Sequence, residues 1–196
     1  MKKAALAASV AVILYAGAAH AAHPLATEDT GTVEKGKYQL ELSTEVGRAG
    51  GSASRETATE FAASFTAGLT DRIDLSLGLP FDTVRERDPL GVNRHSGLGD
   101  AELASKIRFL ESGRFSLAVR PAVTMPLGDE DRVLGGGRIS YGASLIASTD
   151  LKPFGVHAVV GYARNNNAGE RRDIVSASAA ATAEVGHGVQ LVAEVV

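Results

Sequence analysis

Six ionisable side chains stand out because each sits on the polar side of an alternating segment: Glu41, Glu45, Glu60, Lys106, Arg108 and Arg120. The carboxylates come early in the chain and the cations later. If both sets line one lumen, acid on one section and base on the opposite one, they set a transverse field that orients and admits polar solutes. The same residues allow a second reading, in which they form salt bridges that close a narrow interior. Lumen width decides between the two: barrels of ~8 strands leave no channel, and those of ~16 leave a wet one. Small residues on the same faces (Ser64, Gly68, Ser76, Gly78, Gly142 and Ser144) leave room for water or solute.

Catalytic constellations are harder to find. Beyond the leader, His23, His95, His157 and His187 fall in a tail, a loop, a strand and a turn, with no shared spacing. None forms the His-x-x-x-His or carboxylate–histidine pairing of a metal site. Ser96 beside His95 is the best hydrolase pair, but neighbours in a loop make poor nucleophile–base geometry. The run Asp129-Glu130-Asp131 has the hard oxygen ligands that calcium favours without the required ligand spacing, so it reads as a solvated loop. Gly135-Gly136-Gly137 lacks the Lys and Ser/Thr of a phosphate loop and reads as a flexible stretch. The expectation is a non-enzymatic protein without cofactor or metal.

The elements that position the charges are strands. In residues 36–48, Tyr38, Leu40, Leu42, Thr44 and Val46 share one face, and Gln39, Glu41, Ser43, Glu45 and Gly47 share the other. Period two is the strand signature. The pattern recurs at 55–69, 73–81, 98–110, 114–127, 138–148, 154–164, 173–185 and 189–196. It predicts about nine strands of ~9–14 residues, matching the ~9–11 tilted residues that cross a bilayer. Residues 82–97 read as a long charged loop, and Pro121 predicts a bulge, since proline cannot donate to a neighbouring strand. Connections alternate long and short, as in outer-membrane barrels.

Lys2 and Lys3 precede a short apolar run, residues 4–19, and Ala19-His20-Ala21. This is the pattern of a secretory signal peptide cleaved after Ala21. Residues 22–35 then form a periplasmic lead-in, or a segment tucked into the barrel mouth. Removing Lys2 and Lys3 from 20 basic residues against 23 acidic ones leaves a net charge of −5, which argues against a nucleic-acid partner. No Cys is present, so there is no disulfide or thiolate chemistry. No later run is apolar and long enough for a membrane helix, so any spanning structure must be a closed barrel.

Alternation alone does not separate a lipid-facing barrel from a soluble sandwich. Export, strand length and the sorting of loops favour lipid. Trp is absent, and Tyr38, Phe61, Phe81, Phe109, Phe115, Tyr141, Phe154 and Tyr162 supply a thin aromatic belt instead. An odd strand at the end predicts at least one further strand missing at the C-terminus, because bacterial barrels close with even numbers.

Several short stretches carry a resemblance: His23-Pro24-Leu25 with Glu28-Asp29-Thr30-Gly31, Gly36-Lys37-Tyr38-Gln39-Leu40-Glu41, Gly78-Leu79-Pro80, Ser96-Gly97-Leu98-Gly99-Asp100, Met125-Pro126-Leu127-Gly128-Asp129-Glu130, and Gly161-Tyr162 with Arg164-Asn165. Together they resemble the "MetA-pathway of phenol degradation" transporter-like family over nearly all the mature chain. The resemblance implies an outer-membrane β-barrel with a role in solute transport, of aromatic or hydrophobic compounds by the family label. The reading is therefore an all-β, antiparallel up-and-down transmembrane β-barrel. It is exported to a bacterial outer membrane, its partners are outer-membrane lipid and an unidentified small solute, and it works as a passive channel. The alternatives are a closed structural or adhesive barrel acting through outer loops, and a soluble periplasmic β-sandwich.

Overall fold

The computed structural model describes residues 27–50, 55–89, 91–167, 169–186 and 189–196. The leader, its cleavage site and the first residues of the lead-in lie outside the described residues. The strands are β1 (Tyr38–Gly50), β2 (Arg55–Thr70), β3 (Ile73–Asp88), β4 (Gly91–Leu98), β5 (Ala101–Ser112), β6 (Phe115–Met125), β7 (Ser140–Leu151), β8 (Phe154–Arg164), β9 (Asp173–Gly186) and β10 (Val189–Val195). All pair antiparallel in one up-and-down sheet ordered β1-β2-β3-β5-β6-β7-β8-β9-β10, with β4 pairing β3. The sheet curls into a half-barrel.

Its two faces are inside out relative to a soluble domain. Leu40 (66% exposed), Phe61 (55%), Leu145 (51%) and Phe154 (55%) point from the convex side, with the other large apolar residues of the alternating pattern. Among the described residues the buried apolar set is small and made largely of alanines: Ala101, Ala104, Ala118 and Ala180, with Val84, Leu134 and Ile146. Buried polar residues Thr66, Asp74 and Thr182 share the concave side. The register keeps every face together across the strands; Leu42 opposes Ala63, which opposes Leu79.

Two expectations are corrected. Residues 82–97 are not a loop but a β-hairpin, since β3 continues to Asp88 and β4 returns along it from Asp88↔Gly91 to Phe81↔Leu98. Arg85 opposes Arg94 and Glu86 opposes Asn93, so both faces are polar there. Hydropathy stops alternating where neither face is apolar, yet the backbone ladder persists. At the foot of this hairpin, Leu79 and Pro80 lie opposite Gly99, Asp100 and Ala101, a bulge that separates β4 from β5.

The second correction concerns Pro121. It pairs in register with Ala143 on β7, and the β5–β6 ladder merely skips from Ala104↔Ala122 to Ile107↔Val119. The register shift falls between Arg108 and Leu110 instead. Proline removes one donor without adding a residue. On the β3 side of the same stretch, the Ser105 hydroxyl donates to the Asp74 carbonyl (2.7 Å), and the Lys106 amide donates to the Asp74 carboxylate (3.2 Å).

Residues 27–35 form no strand. They run as a strap across the concave face, where Thr27 is 1% and Thr30 4% exposed. A segment without ladder partners is buried this deeply only because the sheet wraps around it.

Candidate functional site

Lys106 on β5 and Arg120 on β6 both point to the concave side, and the strap carries a carboxylate between them. Glu28 places one oxygen 3.0 Å from Lys106 Nζ and the other 3.2 Å from Arg120 Nε. Arg120 Nη2 also donates to Glu102 Oε1 at 2.5 Å, and Lys106 Nζ donates to the Asp29 carbonyl at 3.1 Å. The Lys106 and Arg120 side chains are 16% and 22% exposed, so these pairs are better shielded than surface ion pairs.

The wall holds the strap at both ends. Val33 N–H donates to the Asp74 carboxylate (3.2 Å), and the Gly36 amide donates to the Gly68 carbonyl (2.8 Å). A Cβ on Gly68 would lie 2.1 Å from the Glu34 carbonyl oxygen, so glycine is what lets the strap pass this close. On the far side, Thr30 shares a 2.5 Å hydrogen bond with Ser116, and its amide donates to Ser148 (3.1 Å). Ser148 is hydrogen-bonded to His157 in turn (2.9 Å), while the Thr27 amide donates to the Glu194 carboxylate. Where the strap meets the sheet edge, Lys37 hydrogen-bonds and pairs with Glu34 (2.7 Å), which raises the Lys37 ammonium above its ordinary value.

The structure separates the six charges that the sequence singled out. Lys106 and Arg120 come together. Arg108 lies apart, near the short turns, donating to the Asp71 carbonyl (2.8 Å) and approaching Glu111 (3.7 Å). Glu45 directly opposes Glu60, and Glu60 opposes Asp82, which makes a row of carboxylates across β1–β3. Glu41 lies two inward positions away, beyond Ser43, opposite Ser64. Among the described residues, Glu41, Glu45 and Glu60 have no ion-pair partner. Acid and base are thus segregated between the two walls, but the basic wall is already neutralised by Glu28 and Glu102. Sequence reasoning missed both. Glu102 had a signal, sharing a strand face with Lys106 four residues on. Glu28 had none, because it lies in a segment without a period.

A cavity of about 330 Å³ opens beside the ion cluster, lined by Glu102, Arg120, Ser140, Ser144, Asn165 and Asn167 among others. A second, of about 320 Å³, lies on the short-turn side and includes Asp29, Arg108, Ser148 and His157. Asp29 and Thr30 of the strap bound the second cavity, and Arg120, which the strap's Glu28 engages, bounds the first.

Residues 128–137 pack against Asn167, which lines the first cavity, and here the expected flexible glycine stretch is corrected. The Asp100 carboxylate accepts the Gly128 amide (3.0 Å) and the Gly136 amide (2.8 Å), and Leu134 is buried at 5% exposure. A Cβ on Gly135 would lie 2.3 Å from Asp100 Oδ1, and one on Gly136 would lie 1.9 Å from Asn167 Oδ1. These glycines permit close packing. Asp129 of the acidic run pairs with Arg132 (3.2 Å) beside the 3₁₀ turn Glu130–Arg132.

Three separated sequence motifs meet at this anchor. Gly78-Leu79-Pro80 and Ser96–Asp100 face each other across the bulge, with the Gly99 amide donating to the Pro80 carbonyl (2.9 Å), and Asp100 grips Gly128 of the Met125–Glu130 stretch. The sequence profile of the family described as "Putative MetA-pathway of phenol degradation" matches residues 24–195. The chain belongs to this family. No curated protein matches it. The family match takes in the strap as well as the sheet, so the MetA-pathway family unit comprises a wall and the segment threaded against it.

Proposed function

We propose that this MetA-pathway family protein is an outer-membrane β-barrel that passes small solutes passively along its concave face and performs no catalysis. One observation carries the reading: the convex face is a continuous field of exposed Leu, Phe, Val and Tyr, while the charges turn inward. Soluble monomers rarely expose apolar patches beyond a few hundred Å². A sandwich would put these rows against a second sheet, and here they face outward.

Aromatic residues also fall toward both ends of the strands. Tyr38 stacks on Phe65 (centroids 5.6 Å apart) at the short-turn end, with Phe115 and Phe154, and Tyr141 and Tyr162 occupy the other end. Phe154 and Tyr162 bracket β8, separated by about 26 Å along the strand at ~3.3 Å per residue. A tilt of ~40° reduces that to about 20 Å, of the order of the apolar band of outer-membrane barrels. In hydrocarbon the β1 and β10 edges must be paired, since every unsatisfied backbone group there costs several kcal/mol.

The protein is expected to sediment with the outer membrane and to give small, discrete conductance steps in planar bilayers. A folded, membrane-inserted protein that insulates would overturn the channel reading. A second reading, a closed barrel acting through its outer elements, is favoured by the strap lying across the concave face with Thr27 and Thr30 buried, and by the β3–β4 hairpin extending past the β5 bulge. Deleting residues 83–96 separates the two: loss of partner binding with no conductance supports the closed barrel, and retained conductance supports the channel.

A further inference from the structure

We propose that Lys106 and Arg120 form a binding site for a small monocarboxylate, and that Glu28 is its resident occupant. The inference rests on reading the concave face as a solute path, and it names the solute class that face selects.

The geometry is that of a built receptor. Two cations on neighbouring strands each take one oxygen of a single carboxylate, at 3.0 and 3.2 Å. Charge-assisted pairs of this kind are the strong hydrogen bonds of protein sites. Both cations belong to the ladder-bonded wall, Lys106 opposite Asp74 and Arg120 opposite Ser144, whereas the occupant belongs to a segment with no ladder. Arg120 is also bonded to Glu102, a residue of the wall rather than of the strap, which gives its fork an anchor independent of Glu28.

The surrounding charges allow the exchange. Glu102 neutralises one cation, and the Asp74 carboxylate is engaged by the Val33 and Lys106 amides. Glu41 feels the charges of both Lys106 and Glu28. A free monocarboxylate replacing the Glu28 carboxylate alters none of these balances, because one negative charge leaves as another arrives. A dianion would add an uncompensated charge beside Glu41 and Glu102.

Access and size point the same way. Arg120 and Glu102 line the cavity of about 330 Å³, at the small end of the ~300–1,000 Å³ range of ligand pockets. A tethered group competes at an effective concentration of about millimolar even on a flexible linker, and this strap is held to the wall at Thr30 and Val33, so a free acid must reach at least millimolar levels to displace Glu28.

The test is calorimetric titration of sodium benzoate into the protein in detergent micelles, with uncharged benzamide as control. The wild type is expected to bind benzoate at millimolar concentration, and Glu28→Gln to bind it at least about tenfold more tightly. Glu28→Ala should behave like Glu28→Gln, and adding Lys106→Met to Glu28→Gln should abolish the gain. Each variant is checked for the folded barrel by its heat-modifiable gel mobility. Equal benzoate affinity in wild type and both Glu28 variants would overturn the site, as would benzamide binding as tightly as benzoate. Conductance is read separately. Tightened benzoate binding in an insulating protein upholds the site and sinks the channel, whereas conductance with unchanged benzoate affinity does the reverse.

Discussion

The β1–β3 wall and the β5–β6 wall treat charge in opposite ways. On β1–β3, Glu45, Glu60 and Asp82 stand directly opposite one another, with no ion-pair partner for Glu45 or Glu60 among the described residues. On β5–β6, Lys106 and Arg120 are paired with Glu28 and Glu102. What differs is cover. The strap covers Lys106 and Arg120 and passes Gly68 and Asp74, while Glu45 and Glu60 are exposed. Like charges side by side are tolerable in water, where a pair at ~4 Å interacts by only about 1 kcal/mol, and not where a peptide excludes it. A covered charge must be paired, because leaving one unpartnered costs several kcal/mol. The difference between the walls shows that the strap, rather than the sheet, decides which charges remain open to water.

Reversing the covered charge has the largest expected effect. Arg120→Glu puts a third carboxylate beside Glu28 and Glu102, facing Lys106 alone. Removing one partner of a fully buried pair costs ~3–5 kcal/mol, and the partial exposure of this cluster reduces that to about 2 kcal/mol. Denaturant unfolding in micelles measures it. If the protein conducts, charge selectivity moves toward cations. Unchanged stability and unchanged selectivity together would mean that Arg120 does not line the path.

Uncovering the β5–β6 wall comes next. Gly68→Val drives a side chain into the Glu34 carbonyl and should lift the strap from the wall at a cost of about 1–3 kcal/mol. Limited proteolysis is then expected to cut within residues 27–35 while the sheet stays intact, and the conductance step should grow. Protection of the strap equal to wild type would show that its hold does not depend on the close pass at Gly68.

The contrast also marks what the sequence makes legible. Alternation placed the strands because a wall between an apolar and a polar medium writes period two into every strand; β8 has the bounds that the pattern predicts. That writing fails where one medium meets both faces, so the hairpin of β3 and β4 read as a loop. The charged positions on the strands were legible for the same reason, their side being fixed by parity. Their partners were not. Glu28 acts from a segment without a period, and Asp100 acts on Gly128 and Gly136 through a fold-back with no local signature. Parity assigns a residue to a face; it does not say what crosses in front of that face.

The smallest expected effect tests the open wall. Glu60 faces a carboxylate on each side, so Glu60→Gln removes two like-charge oppositions, each worth about 0.2–1 kcal/mol at most. The substitution keeps the side-chain length and the strand register. It should stabilise the protein by about 0.5 kcal/mol at low salt. The gain should vanish in ~1 M salt, where screening acts over about 3 Å. Arg120→Glu, acting under the strap, should keep most of its cost in the same salt, because covered charges are screened far less. The paired salt titration is therefore sharper than either mutant alone. Equal salt sensitivity of the two would mean that both walls see the same water, and the strap would then be no more than a loose end lying in the lumen.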